Sequence, residues 1–345
     1  MSWISRDKSP LPCYPIMQTK RVNYPGNHII SFRVASDVER SKNHEELMAG
    51  MTGGNMAVVR WKHTPDGTAF DDAAAFGAIR GAILEQNNDP RRLRGVAAEI
   101  AALLPPAHQP SDDVLGSLWR LFISLAQQTP SGNLAMLDLV VILDHLSSSP
   151  KTAAKVTVDG LEELSRLHGL NQVIRDTMVS PYQSPSRTDT LSRWVNLNAF
   201  AALLWSYNLI DGRDFAVQQL RAAFEDRRSS DAGDRDGADA RLMAAAQWAV
   251  HSCQRLYHLS VTSQGGGGSE SFSNGNGDAK SVDGERWKPG PRFRGRAGFS
   301  FRRWEFWQQG FEEAHEFGNG GVEAKVEAQA AAGMMEKVLY AGFEG

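Results

Sequence analysis

Between Arg286 and Arg303 the chain carries seven basic side chains, Arg286, Lys288, Arg292, Arg294, Arg296, Arg302 and Arg303, and no acidic one. Trp287, Phe293, Phe299 and Phe301 are interleaved with them. Cations that hold phosphates beside rings that stack on bases are the equipment of single-stranded nucleic-acid binders. The same cations have a second destination, because residues 304 to 345 hold eight acidic side chains against only Lys325 and Lys337. A basic loop folded back over acidic helices neutralises both, and since the opposite charges adjoin in sequence this internal balance is the favoured reading. Lys288, Arg292, Arg294, Arg296, Arg302 and Arg303 are thus the candidate anion-binding residues.

Other chemistry-bearing spacings are weaker. Glu312 and His315 have the E-x-x-H spacing of di-metal helical bundles, but two such motifs and further carboxylates must converge there. None of the other eight histidines has an acidic residue three positions before it. His251 and His258 lie seven apart on one predicted helix without neighbouring carboxylate or thiol ligands. Cys253 between them reads as a small buried side chain. Neither G-x-S-x-G nor a phosphate-binding G-x-x-x-x-G-K-[ST] occurs, and "GNGDAKS" at 275 to 281 lacks a preceding strand. "RAGFSF" echoes an RNA-recognition strand but sits between a Pro/Gly loop and a predicted helix. The sequence assigns no catalytic residue, no metal ligand and no cofactor.

The elements that must position these residues are mostly helical. A chain of 345 residues with 41% apolar side chains, 9 Trp and 15 Phe can fill a core. The formal net charge of -3 gives no global pull toward nucleic acid or anionic lipid. Two cysteines, Cys13 and Cys253, are too few for a disulfide scaffold, and the N-terminus lacks the apolar run of a secretory signal. No apolar stretch reaches the roughly 18 residues of a membrane span. An intracellular protein, cytoplasmic or nuclear, with no membrane partner is expected.

Residues 1–65 form a poorly regular segment with two short β-like runs, "HIISFRV" and "MAVVRW". Residues 66–345 read as a helical domain. Thr68 is a candidate cap for a helix with Phe76, Ile79 and Ile83, and Leu93, Val96, Ile100 and Leu103 stripe the next, which "PP" at 105 ends. Ser111, Asp112 and Asp113 open a third helix, Leu134 to Leu146 a fourth, and Leu161, Leu164 and Leu167 stripe a fifth at about 154 to 168. The 190 to 208 helix is apolar nearly all round and belongs at the centre. Asp211 and Asp214 open the next helix, and another follows from 240 to 260. Flexible loops are expected at about 227–239 and 262–285. The fold class is all-α: an irregular bundle or α-superhelix of antiparallel helical hairpins.

The stretch "GFSFRRWEFWQQGFEEAHEF" predicts a helix from 300 to 317. Ser300 is its N-cap, Phe299 and Trp304 are placed for a hydrophobic staple, and Phe306, Trp307, Phe311, Ala314 and Phe317 face away from a polar side. Such a partition belongs to a helix docked on a core. Phe299, Ser300, Trp304, Trp307 and Phe311, with Trp194, Phe200 and Trp248 on earlier helices, are the expected structural anchors.

"WVNLNAFAALL" (194 to 204), "AAAQWAVHSCQRLY" (244 to 257) and "WKPGPRFRGRAGFSFRRWEFWQQGFEEA" (287 to 314), with a closing helix containing "AQAAAGMMEKV", resemble the fungal family named domain of unknown function 3632. "TPSGNLAMLDLVVIL" is similar to its earlier hairpin, so the resemblance covers roughly residues 65 to 340. It implies a fungal, helical, soluble protein and transfers no activity, cofactor or catalytic residue. Arg302 and Arg303 depart from the family's tendency to place an acidic residue in the first turn, and two cations there are mildly unfavourable unless they serve the preceding loop. The reading that follows is a non-enzymatic helical scaffold or protein-interaction protein, with another protein as its partner. The alternatives are a nucleic-acid or anionic-ligand binder using the 286–303 loop, and an enzyme without a recognisable motif.

Overall fold

The computed structural model describes residues 18–22, 30–34, 70–85, 89–106, 112–158, 161–179, 187–226, 234–262 and 287–343. The chain divides into two compact units, Met1–Gly54 and Asn55–Gly345. In the first, strands β1 (Gln18–Val22) and β2 (Ile30–Val34) pair antiparallel, Gln18 opposite Val34. β2 comes from the "HIISFRV" run, while "MAVVRW" lies outside the described residues.

Among its described residues the second unit is all-α apart from one hairpin. Its helices are α1 (Asp72–Glu85), α2 (Pro90–Leu103), α3 (Asp112–Gln128), α4 (Leu134–Ser147), α5 (Leu170–Thr177) and α6 (Arg187–Ser206). They continue with α7 (Arg213–Phe224), α8 (Arg235–His251), α9 (Cys253–Thr262), α10 (Phe301–Glu316) and α11 (Val322–Phe343). Local chemistry fixes several starts. Asp89 caps α2 through Arg91 N with Pro90 at the first helical position, and Asn133 caps α4 through Ala135 N. Asp71 Oδ1 accepts from Ala74 N at the start of α1; Thr68, the expected cap, lies outside the described residues. Lys151 Nζ donates to the Ala101 and Leu104 carbonyls, closing the C-terminal end of α2.

Helix α6 joins the halves, packing on α3 and α4 on one side and on α8 on the other. Its Leu197, Phe200, Ala201 and Leu204 are buried in one core that runs from Phe70 to Met335. Two buried polar groups pin it to the second half: Trp248 Nε1 donates to Asn198 Oδ1 at 2.9 Å, and Ser252 Oγ donates to the Ala202 carbonyl at 2.7 Å. Trp194 is buried separately with Leu191 and Ala244.

Three expectations need correction. Residues 154–168 are not a helix: β3 (Ala154–Val158) and β4 (Leu161–Ser165) form an antiparallel hairpin, leaving Leu161 68% and Leu164 65% exposed. The β-branched run Val156, Thr157, Val158 prefers an extended backbone, and that preference overrides the leucine spacing. Only Leu167 joins the core. The polar stretch read as a loop to 239 gives way to helix at Arg235, because Asp234 accepts from Gly237 N as an N-cap. The helix expected from 240 to 260 is interrupted at Ser252. No helix among the described residues is long and apolar enough to cross a membrane.

Asp138 of α4 is buried with its carboxyl pushed up to about 6 by burial. A carboxyl raised in the fold stabilises it fully below its ordinary value of 3.8 and loses that contribution as pH rises through about 6. Asp138→Asn is therefore expected to raise unfolding stability by about 3 kcal/mol at pH 8 and to change little at pH 4, in paired urea titrations.

Candidate functional site

The 287–300 loop is held from beneath by one buried ion pair. Glu225 is the C-cap of α7 and Arg303 lies in the first turn of α10. Both side chains are fully excluded from solvent. Arg303 Nε donates to Glu225 Oε1 at 2.7 Å and Nη2 to Oε2 at 2.9 Å, a bidentate fork. The remaining nitrogen, Nη1, donates to the carbonyls of Gly298 at 2.7 Å and Trp287 at 3.1 Å, the two ends of the loop. Trp307 Nε1 donates to Glu225 Oε1 at 2.8 Å and Gly290 N to Oε2 at 2.8 Å. Glu225's main-chain carbonyl accepts from Arg292 N at 3.0 Å.

Two glycines make this closure possible. A Cβ on Gly290 would stand 2.7 Å from the Glu225 backbone, and Gly298 turns the chain at φ +83°. Trp287 Nε1 adds a bond to Asp214 Oδ1 at 2.9 Å. The Glu225 carboxylate accepts four protein hydrogen bonds and touches no solvent, so it is a structural counter-ion with no free position for a reactant.

The loop's side chains sort by face. Phe293 and Phe299 are buried, Phe293 against Phe306 with centroids 5.2 Å apart and Phe299 edge-on to Trp287 at 5.4 Å and Trp307 at 6.3 Å. The Arg303 guanidinium lies 5.2 Å from the Trp307 ring and 5.8 Å from that of Phe293. Arg292, Arg294 and Arg296 are exposed, as are Lys288 and Arg302. Of the rings interleaved with the cations, Phe293 and Phe299 are buried and offer no stacking surface, while Trp287 and Phe301 are half-buried against the core. The internal charge balance expected for the loop also takes a different form. Among the described residues, Arg292, Arg294 and Arg296 make no ion pair with Glu312, Glu313 or Glu316. Glu312 and Glu313 instead accept from Gln308 and Gln309 at 3.1 and 2.9 Å, one turn back. Arg303 is neutralised internally, and its partner is an acidic residue from the end of an earlier helix.

The aromatic helix follows its spacing closely. Ser300 Oγ accepts from Arg303 N, and Trp304, Trp307 and Phe311 are buried. Phe311 meets Phe224 edge-on at 4.6 Å, and Trp304 meets Tyr257 at 5.4 Å. Phe299 meets Trp307 and Trp287 edge-on, and Phe317, expected inside, is 78% exposed beyond the helix end. Glu312 and His315 line a shallow cleft with Glu316, Gln329 and Glu336. Among the described residues no group of three His, Cys, Asp or Glu side chains is placed to hold a metal ion. Burial pushes the Cys253 thiol up, away from nucleophilic use. His251 and His258 fall on separate helices, α8 and α9.

A family model described as "Protein of unknown function (DUF3632)" matches residues 119–311, more than half of the chain. The match is narrower than the 65 to 340 span of the motif resemblance, yet it contains Glu225, Arg303, Trp307 and the whole loop. No curated protein and no solved structure matches the chain.

Proposed function

We propose that this chain, which belongs to the DUF3632 family, is a non-enzymatic helical interaction protein whose loop 287–300 receives the acidic surface of a partner protein in the cytoplasm or nucleus. The observation that carries the reading is the outward row Arg292, Arg294 and Arg296, exposed on a backbone clamped by Glu225 and Arg303. A clamped loop has already lost the conformational freedom that binding would otherwise remove, so its cations act as a preorganised surface. Arginines suit carboxylates because the planar guanidinium donates two parallel N–H bonds, one to each carboxylate oxygen. A protein partner is preferred to a single nucleic-acid strand because Phe293 and Phe299 are occupied inside the fold. Glu305, Glu312, Glu313 and Glu316, exposed on the adjoining helix, would also repel a long uniform polyanion.

The test compares wild type with Arg292→Glu/Arg294→Glu/Arg296→Glu in affinity capture from cell lysate, with and without nuclease. All three positions are exposed, so the variant should melt within about 0.5 kcal/mol of wild type. The expected result is a defined protein retained by wild type in a salt-sensitive manner and reduced at least about tenfold with the variant. Nuclease-sensitive nucleic acid lost with the variant would hand the loop to the alternative partner. Equal retention of the protein by both would remove the arginines from the site.

A further inference from the structure

The C-terminal helix α11 is held to the fold differently from its neighbour α10. Where α10 buries Trp304, Trp307 and Phe311, the described side chains of α11 that are buried are Ala324, Ala328, Ala331 and Met335, with Glu327 in the middle of the row. Small side chains remove little apolar area from water, so the fate of one carboxyl weighs heavily in this contact. α11 lies against α8, α9 and α10. Two hydrogen bonds join it to α8 in the same chain direction: Asp239 Oδ2 accepts from Gly321 N at 2.8 Å, and Gln247 Nε2 donates to Glu327 Oε2 at 3.0 Å. Beyond Gln247, its Oε1 meets His251 Nε2 at 3.2 Å, so a neutral amide stands between the carboxyl and the imidazole.

We propose that α11 is a proton-gated strap, seated on α8 while Glu327 is protonated and loosened when Glu327 ionises. The ionised carboxylate is buried with one neutral amide as its hydrogen-bond donor and Glu323 one turn away on the same helix. The other titratable and charged groups on the packed helices are Arg235, Asp236, Asp239, Arg241 and His251 on α8, Cys253, Arg255, Tyr257 and His258 on α9, Arg302, Arg303, Glu305, Glu312, Glu313, His315 and Glu316 on α10, and Lys325, Glu336, Lys337 and Tyr340 on α11 itself. Of these, Asp239 is bound to Gly321 N, and His315 Nδ1 lies 3.2 Å from the Lys325 main-chain carbonyl. Burial pushes the Glu327 carboxyl up to about 7, against the lowering effect of the Gln247 bond and with a smaller push from Glu323. A carboxyl raised by docking favours the docked helix fully below its ordinary value of 4.5, and that preference is lost as pH rises through about 7.

Hydrogen exchange on the full chain, corrected for the intrinsic pH dependence of exchange, reads this directly. Protection of amides in 322–340 is expected to fall roughly 25-fold between pH 5.5 and pH 8, while α3 and α6 keep theirs. Glu327→Gln should keep α11 protected at both pH values. Glu323→Gln, an exposed change, should move the midpoint to lower pH and leaves the proposal testable even if the buried variant folds poorly. Constant protection of α11 across this range, an equal fall in α3 and α6, or unchanged pH dependence in either variant would overturn the strap.

Discussion

Glu225→Ala is expected to cost about 3 to 5 kcal/mol of unfolding stability, a large share of what a domain has. The removed carboxylate neutralises a guanidinium that sees no solvent and also accepts from Trp307 Nε1 and Gly290 N. Alanine leaves Arg303 buried and charged with only the Trp287 and Gly298 carbonyls to hold it. The loop should loosen together with the core beneath it, so trypsin should cut at Arg292, Arg294 and Arg296 faster than in wild type under native conditions. The companion variant Glu225→Leu/Arg303→Met removes both charges and restores apolar volume, and its loss should be smaller than that of Glu225→Ala. Denaturant titrations give the comparison. A double variant no more stable than the single one would mean that the pair's hydrogen bonds to the loop, and not charge compensation, dominate its contribution.

The two partners of that pair were not equally legible in sequence. Arg302 and Arg303 are cations at a helix start, where the dipole disfavours them unless they serve the preceding loop. The structure gives that role to Arg303 through the Trp287 and Gly298 carbonyls. Its counter-ion lies 78 positions earlier, and no local pattern marks Glu225 among the other acidic side chains at helix ends. Tertiary packing chooses it. Proximity in sequence pointed to Glu312, Glu313 and Glu316 instead, but a helix carries those side chains away from the loop on its polar face, where glutamines one turn back engage two of them.

Helices were readable where caps and apolar stripes agreed. Ser300 before the aromatic run signals a start through short-range chemistry that the structure retains. The 154–168 segment shows the opposite case. Its leucines at 161, 164 and 167 match a helical period, yet "KVTVDGLEEL" also carries an Asp-Gly pair between β-branched and alternating residues, the strongest short-range signal for a hairpin. Giving that pair more weight than three leucines would have found β3 and β4. The interruption at Ser252 had no comparable cue. Ser252 Oγ is bound to the Ala202 carbonyl across the α6 contact, a constraint written in another helix.

Trp307→Ala should be as damaging as loss of Glu225, at about 3 to 5 kcal/mol, for a partly different reason. The indole is fully buried, packed edge-on against Phe299 and beside the Arg303 guanidinium, so truncation opens a cavity under the loop and also removes a donor from Glu225. Trp307→Phe separates the two contributions, since it keeps most of the apolar volume and loses the N–H. It should cost about 1 to 3 kcal/mol, the range for a buried charged acceptor deprived of one partner. If the phenylalanine variant proves as unstable as the alanine one, the Trp307–Glu225 bond is the dominant contribution and the aromatic helix is positioned by the ion pair. If it approaches wild type, packing on Phe299 positions the helix and the pair's main task is to hold the loop that displays Arg292, Arg294 and Arg296.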